Sequence, residues 1–412
     1  MGKHAKLCPP SGWDRWSNCS ASVDLQTNEG SEFAAQGTAA HLLADTCLRE
    51  LMASWRDSTV VPLKPADFIG QSIWVPDAQD EEAGEVEHLL QEGEEAPLTG
   101  WVFEVDQEMV DNVQQYIDEV TMQERDYLQS ETAVPLDHIT GEEGASGHCD
   151  ALRAHGKTLA SHDLKYGKGV KVYAKENGQQ LLYLLGGIRE LEWLNDFEKF
   201  EIHIHQPRLG HHDVWYLSKE ELEIWAKKIA AKAYDVVKLG KREFGPTVKG
   251  CKFCDNRRTC AARDEMAMAS VDDFPDEGDA ISGADPGQYM AAVLDRIEFV
   301  ESWVKDMWTK ANDMAKDQPG SIPGWDLFPG RGGRKIVDEA KVKARLRKRK
   351  HKLDEYMPRK MISAAQLEKL VGRDEYKKVF AEFVEHYEGS PKLGRVKGDR
   401  KTSAQADLDA FD

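Results

Sequence analysis

The chain of 412 residues is 41% hydrophobic, contains 11 tryptophans and carries a formal net charge of −19, so it can bury a sizeable core and is not a disordered polymer. No apolar run reaches the roughly 18 residues of a membrane span, and MGKHAKLCPPSGW at the N-terminus lacks an apolar secretory stretch, so a cytoplasmic protein with no membrane partner is expected. The acidic balance excludes a protein that coats nucleic acid indiscriminately, because phosphate contacts need local cations.

In chain order, a short helix is expected around Trp13 to Cys19. Glu32 to Met52 has helical periodicity, with Ala39, Leu42, Leu43, Thr46 and Leu51 supplying contacts and Gly37 allowing close approach. Residues 54–99 read as an irregular excursion ending in an acidic stretch, and Val105 to Leu128 as a second helix. Gly147 to Lys165 is the clearest strand signal, two runs meeting at a two-residue turn, His155-Gly156. A helix over Gln179 to Leu194 and a strand over Phe200 to Gln206 follow. Ser218, with Glu221 in the capping-box position, opens a helix from Lys219 to Leu239. This gives a first domain over 1–270, a Pro, Asp and Gly-rich linker over 271–287, a mostly helical domain over 288–389 and a polar, acidic tail over 390–412. Within the second domain Gln288 to Lys316 reads as a long helix and Gly324 to Arg334 as turn-rich.

The chemistry concentrates on the expected hairpin. With His155-Gly156 as the turn, Asp150 lies opposite Ser161, and Asp163 falls one diagonal step away on the same face. Lys165, two residues on, shares that face. Two carboxylates and an ammonium suit a hard divalent cation that keeps water and accepts phosphate oxygens. Alone, an Asp-x-Lys pair is more often an exposed ion pair. Here it follows His41 on a helix, with Asp45 one turn later, and precedes Gln180 and Tyr183 spaced i, i+3.

Seven cysteines, an odd number, do not read as a disulfide framework. Cys251, Cys254 and Cys260 supply three soft ligands within ten residues, enough for Zn²⁺ or an iron-sulfur cluster once a fourth arrives. Ligand types alone favour zinc, with Cys19, Cys8 or a histidine as the fourth. Cys47 and Cys149 are expected to be buried spectators.

The order GTAAH, GHCD, HDLK, QQLLY resembles the motif series of the RecB-like branch of the PD-(D/E)XK nucleases. That resemblance implies an α/β fold: a restriction-endonuclease-like core, a mixed central sheet flanked by helices, with a smaller, mostly helical C-terminal domain. It implies Mg²⁺ or Mn²⁺ on His41, Asp150 and Asp163, with Asp150, Asp163, Lys165, Gln180 and Tyr183 as the catalytic set. Asp45 stands where relatives often have an acid. The segment SGWDRWSNCSAS is similar to the one by which iron-sulfur members of the branch bring an N-terminal cysteine. Cys19, Cys251, Cys254 and Cys260 would then hold a 4Fe-4S cluster, with Zn²⁺ as the alternative. Over nearly its full length the chain resembles an uncharacterised phage and prophage family. The ordered carboxylate and lysine set with its cysteines makes a metal-dependent DNA exonuclease of phage type, processing ends for recombination or replication in a bacterial cytoplasm, the leading expectation.

The stretch Lys341 to Lys352 carries eight Lys or Arg. Together with SIPGWDLFPGRGGRK it nominates Arg331, Arg334, Lys335, Arg345, Arg347 and Lys348 as phosphate contacts for DNA. The plain alternative is a solvated helix face. The final ADLDAFD is of a kind that can dock on a partner such as a single-strand-binding or recombination protein. The competing function is a catalytically silent nucleic-acid-binding or scaffold protein with a structural zinc or iron-sulfur site.

Overall fold

A computed structural model describes residues 3–25, 30–77, 87–91, 94–97, 99–272, 286–356, 363–372 and 375–395. The chain divides into two compact units, Met1–Phe299 and Val300–Asp412. Most of the expected linker, 273–285, and the tail from 396 lie outside the described residues.

The first unit opens with β1 (Lys3–His4), α1 (Trp13–Trp16) and the long α2 (Glu32–Arg56). Next come β2 (Ser72–Val75), β3 (His88–Leu89), β4 (Trp101–Glu104), α3 (Gln107–Thr121), β5 (Tyr127–Pro135) and α4 (Asp137–Thr140). The hairpin β6 (Ala145–His155) and β7 (Thr158–Leu164) leads through α5 (Gly178–Glu190) to β8 (Lys199–Gln206) and β9 (His211–Ser218). Helices α6 (Lys219–Val237), α7 (Val248–Lys252) and α8 (Ala261–Asp272) follow. Helix α9 (Pro286–Asp317) begins in the first unit and ends in the second.

The helices start where their caps stand. Ser31 accepts from the Ala34 amide, Asp106 from Met109, Asn177 from Gln180, and Ser218 and Glu221 form the expected capping box. Helix α2 runs one turn beyond the expected end. Its buried stripe of Ala39, Ala40, Leu43, Ala44, Cys47 and Leu48 seats it in the core, and each fully buried leucine contributes roughly 1.5–3 kcal/mol. The close approach expected at Gly37 is not made: a Cβ there would meet open space. Close approach occurs instead on α5, where a Cβ at Gly178 would lie 1.9 Å from Trp13 and one at Gly186 would lie 2.8 Å from Val134.

The fold is α/β. Five long strands form a mixed central sheet in the order β5-β6-β7-β8-β9, with the two-residue β1 parallel to the start of β6. Among the described long strands only β7 and β8 run parallel, and α5 supplies their crossover. One face of the sheet packs on α5 and α6 through Leu152, Leu159, Leu181, Leu184, Ile202 and Ile229. The other packs on α2 and α3 through Leu43, Leu48, Val113, Tyr116, Leu128 and Leu164. No helix of the described residues is long and apolar enough to cross a membrane.

Several elements differ from expectation. Residues 54–99 are not simply irregular, since β2 pairs with both β3 and β4 in a separate small sheet. The helix expected to reach Leu128 stops at Thr121, and Leu128 belongs to β5, whose partner β6 rewards its alternation of buried and exposed residues. The hairpin turn is Gly156-Lys157, since His155 pairs with Thr158. Gly156, at φ 53°, takes the left-handed conformation the tight turn requires.

In the second unit the stretch read as turn-rich is strand β10 (Trp325–Ile336), paired antiparallel with β11 (Val384–Arg395). Register shifts fall around Gly330, so Pro329 and the glycines sit at bulges rather than turns. Helices α10 (Glu339–Lys348), α11 (Leu353–Tyr356) and α12 (Ala364–Val371) complete it. Val342, Leu346, Leu367, Tyr376, Phe380 and Phe383 form its core.

Candidate metal centre

The true turn moves the expected register by two residues and keeps its parity. Ala151 pairs with His162, so one step further Asp150 stands directly opposite Asp163 rather than diagonal to it. The two strands part at this point. The Asp150 carboxylate spans the gap, its Oδ2 accepting the Leu164 amide at 2.7 Å.

His41 reaches the same place from α2. Its Nε2 lies 2.8 Å from the Leu164 carbonyl and donates to it, which turns Nδ1 toward Asp150 Oδ2 at 3.5 Å and Glu131 Oε1 at 3.8 Å. A ring whose outer nitrogen is held by a carbonyl presents the other as a ligand. One ligand atom each from His41, Glu131 and Asp150 lies within 4.8 Å of the others. Burial alone would lower the His41 pKa, but the Asp150 and Glu131 carboxylates outweigh it and hold it up at about 9. Burial pushes the Asp150 carboxyl up, and His41 and Lys165 pull it back down. An imidazole that keeps its proton between two carboxylates marks a spot where positive charge is favoured, and a divalent cation can replace that proton.

Glu131 was absent from the expected set. It sits on β5 at the position facing Asp150, with φ at 43°, a left-handed conformation that costs a non-glycine residue on the order of 1–3 kcal/mol. The irregularity breaks the ladder between Ser130 and Thr132 and aims the carboxylate at His41. Such strain gathers where geometry serves a site.

Asp163 is buried beside this trio. Its oxygens lie 3.0 and 2.9 Å from Lys165 Nζ, and Gln180 Nε2 donates to Oδ1 at 2.8 Å. Burial would lower the Lys165 pKa, yet Asp163 and Asp150 raise it, so the lysine is an ammonium. Tyr183 does not touch the lysine directly. It meets Gln179 at 3.1 Å, and Gln179 in turn accepts from Lys165 Nζ at 3.2 Å. Gln179 is thus a second residue that motif reading passed over, although it precedes Gln180 and lies one helical turn before Tyr183. Asp45 is turned away into an i, i+4 pair with Arg49 at 2.7 Å. The structure therefore brings together His41, Asp150, Asp163, Lys165 and Gln180, adds Glu131 and Gln179, and leaves Asp45 outside.

The four cysteines also meet. Cys19, Cys251, Cys254 and Cys260 line one small pocket with Phe244, Pro246 and Arg257. Backbone contacts hold its two halves: Ala21 N donates to Glu243 O at 3.2 Å and Glu243 N to Ser20 Oγ at 2.8 Å. Cys8 is not part of it, being buried in the main core with its thiol pushed up to about 12 by burial. Cys47 and Cys149 are buried as expected. Among the described residues no three of the cysteine sulfurs fall within 4.8 Å of one another, whereas a closed zinc tetrahedron needs sulfurs about 3.8 Å apart.

In the second unit two of the expected DNA contacts are committed elsewhere. Arg334 pairs with Glu368 over the Tyr376 ring, and Arg345 pairs with Glu382 at 2.6 Å over Phe383. Lys335, Arg347 and Lys348 are exposed, and Arg331 lies on β10. Val342 and Leu346 face the core, so the basic run is the outer face of an amphipathic helix.

Among solved structures, that of SSO0001 is 16% identical over 36% of this chain, with a TM-score of 0.23. The match takes in 64% of that protein, and a likeness of this degree fixes neither fold nor function. A family model described as "Protein of unknown function (DUF2800)" matches residues 4–401, nearly the whole length, and the chain belongs to that family.

Proposed function

We propose that this chain is a divalent-metal-dependent DNA nuclease of the RecB-like PD-(D/E)XK kind, an exonuclease of phage type that processes DNA ends. The observation that carries the reading is the meeting of His41, Glu131 and Asp150 beside the buried Asp163–Lys165 pair. A silent scaffold has no use for a strained glutamate and a half-buried ammonium on a buried carboxylate at one point.

His41 Nδ1, Glu131 and Asp150 would hold Mg²⁺ or Mn²⁺, with Asp163 adjacent. When bound, the ion supplies charge that offsets the phosphate and makes water more acidic. Lys165, whose proton Asp163 and Asp150 help to hold, would orient the attacking water and steady charge on the phosphate. Gln180 holds Asp163, and Gln179, backed by Tyr183, holds the ammonium in place. The rigid helix α5 thus sets the amine to the carboxylate. Lys335, Arg347 and Lys348 are the exposed cations offered to the DNA backbone.

The cysteine pocket is assigned a 4Fe-4S cluster. Its cysteines come from an early and a late stretch of the first unit, the arrangement implied by the resemblance to iron-sulfur members of the branch. Residues from both ends of the first unit would be tied by it. Anaerobic purification giving brown protein supports the cluster, and colourless protein holding zinc on sulfur contradicts it. For the nuclease, linear duplex DNA is incubated with Mg²⁺ or Mn²⁺, and cleavage that persists undiminished in Asp163→Ala or Lys165→Ala defeats the assignment.

A further inference from the structure

Four imidazoles gather from three strands on the face of the sheet opposite Asp163. His162 on β7 is in register with His203 on β8, and His205 on β8 with His212 on β9. Their rings stack at centroid distances of 4.3 Å and 4.4 Å respectively. His162, His203 and His205 are all buried, a costly place for polar rings unless their nitrogens are used.

The nitrogens fall into two sets. Facing one another, His162 Nδ1 and His205 Nε2 are 3.0 Å apart, and His203 Nδ1 and His212 Nε2 are 3.3 Å apart. On the far sides, His205 Nδ1 lies 2.7 Å from Glu119 and His203 Nε2 lies 3.1 Å from Glu201. Carboxylates behind two rings fix tautomer and direction as they do behind metal-ligating histidines. Among the described residues the buried Nε2 of His162 has no hydrogen-bond partner.

We propose that His162, His203 and His205, with His212 as fourth ligand, form a buried site for a transition-metal ion of the zinc class, separate from the acidic centre. One ring nitrogen of each of the first three lies within 4.8 Å of the others. Tetrahedral zinc with Zn–N bonds of about 2.0 Å places nitrogens about 3.3 Å apart, close to the two facing separations. Binding would require the near-parallel rings to turn about Cβ–Cγ, a broad torsion for histidine, toward a common point. Glu119 would offset part of the ion's charge, while Glu201 shares its carboxylate between His203 and the Arg153 guanidinium at 2.6 Å. All-imidazole ligation selects zinc, copper or nickel over magnesium.

The test titrates full-length, chelator-treated protein with zinc chloride, measures bound zinc by elemental analysis and reads its ligands by zinc K-edge absorption. The expected result is one zinc per chain in a nitrogen shell at about 2.0 Å, distinguishable from any sulfur-bound zinc at about 2.3 Å. Glu119→Gln, which changes no proposed ligand, should weaken that zinc about 10–100-fold. His212→Gln, at the rim of the cluster, should weaken it at least as much while circular dichroism stays unchanged. Absence of nitrogen-bound zinc in the parent protein overturns the proposal, as does unaltered binding in both variants. DNA cleavage is not read, so the outcome is independent of the nuclease assignment.

Discussion

His162 and Asp163 are sequence neighbours on β7, and strand alternation sends them to opposite faces of one sheet. On Asp163's face the site is mostly carboxylates, joined by the His41 imidazole and an ammonium, near a surface that leaves the Lys165 side chain 30% exposed. On His162's face the donors are buried imidazoles backed by carboxylates. Oxygen ligands with solvent access suit a hard ion that keeps water and meets a substrate, whereas enclosed nitrogen ligands suit an ion that stays. The contrast teaches that one short strand can serve two chemistries, because a period of two keeps their donors apart.

The largest effect that can sharpen this contrast is on cleavage. Asp150→Asn and Lys165→Ala should each lower the rate of DNA hydrolysis by about 10³-fold or more, in line with the loss of groups that stabilise charge in the transition state. Neither should change zinc bound on the far face. A variant that loses both would merge the two sites and break the comparison.

Glu131 provides the next effect. Glu131→Gln should weaken Mn²⁺ binding at least tenfold by calorimetry. Glu131→Gly should weaken it similarly yet raise stability to denaturant by about 1 kcal/mol, because glycine adopts φ 43° without strain. Lower stability in the glycine variant would show that the conformation is not held against a cost.

The pH dependence should differ between the faces. His41 carries a proton without the ion, its pKa held up at about 9, so Mn²⁺ must displace it. The proton-bound form competes at every pH below that value. Affinity should therefore rise as pH rises, by about tenfold per unit while one proton is released, and flatten as pH passes the His41 value. The buried His205, held at about 4, predicts no such slope for zinc near neutrality. Equal slopes would contradict the separation. The smallest effect belongs to Gln179→Ala, which removes one hydrogen bond to the ammonium and should slow cleavage about fivefold, equivalent to about 1 kcal/mol.

Much of the acidic centre was legible because it depends on parity. A hairpin register wrong by two residues still put Asp150 and Asp163 on one face, and His41, Gln180 and the four cysteines stood at motif spacings. Glu131 was not legible: the expected helix covers only Tyr127 and Leu128 of its strand, the residues that follow carry no expected element, and a positive φ at a glutamate leaves no sequence mark. The strand over Phe200 to Gln206 was read from its alternation, yet the partners of His203 and His205 lie on β7 and β9, and cross-strand neighbours are invisible in a linear pattern. In the second unit, Pro329 and the glycines of β10 carried turn signals that were spent on bulges, which is how a strand came to be read as turns.

The central claim is that the trio at Asp150 and the pair at Asp163 hydrolyse DNA together. An end-labelled linear duplex incubated with Mn²⁺ and the full-length protein tests it most directly. The account predicts progressive shortening with the parent chain and intact duplex with Lys165→Ala of unchanged circular dichroism. Equal shortening by both proteins, or none by the parent under either Mg²⁺ or Mn²⁺, would contradict it.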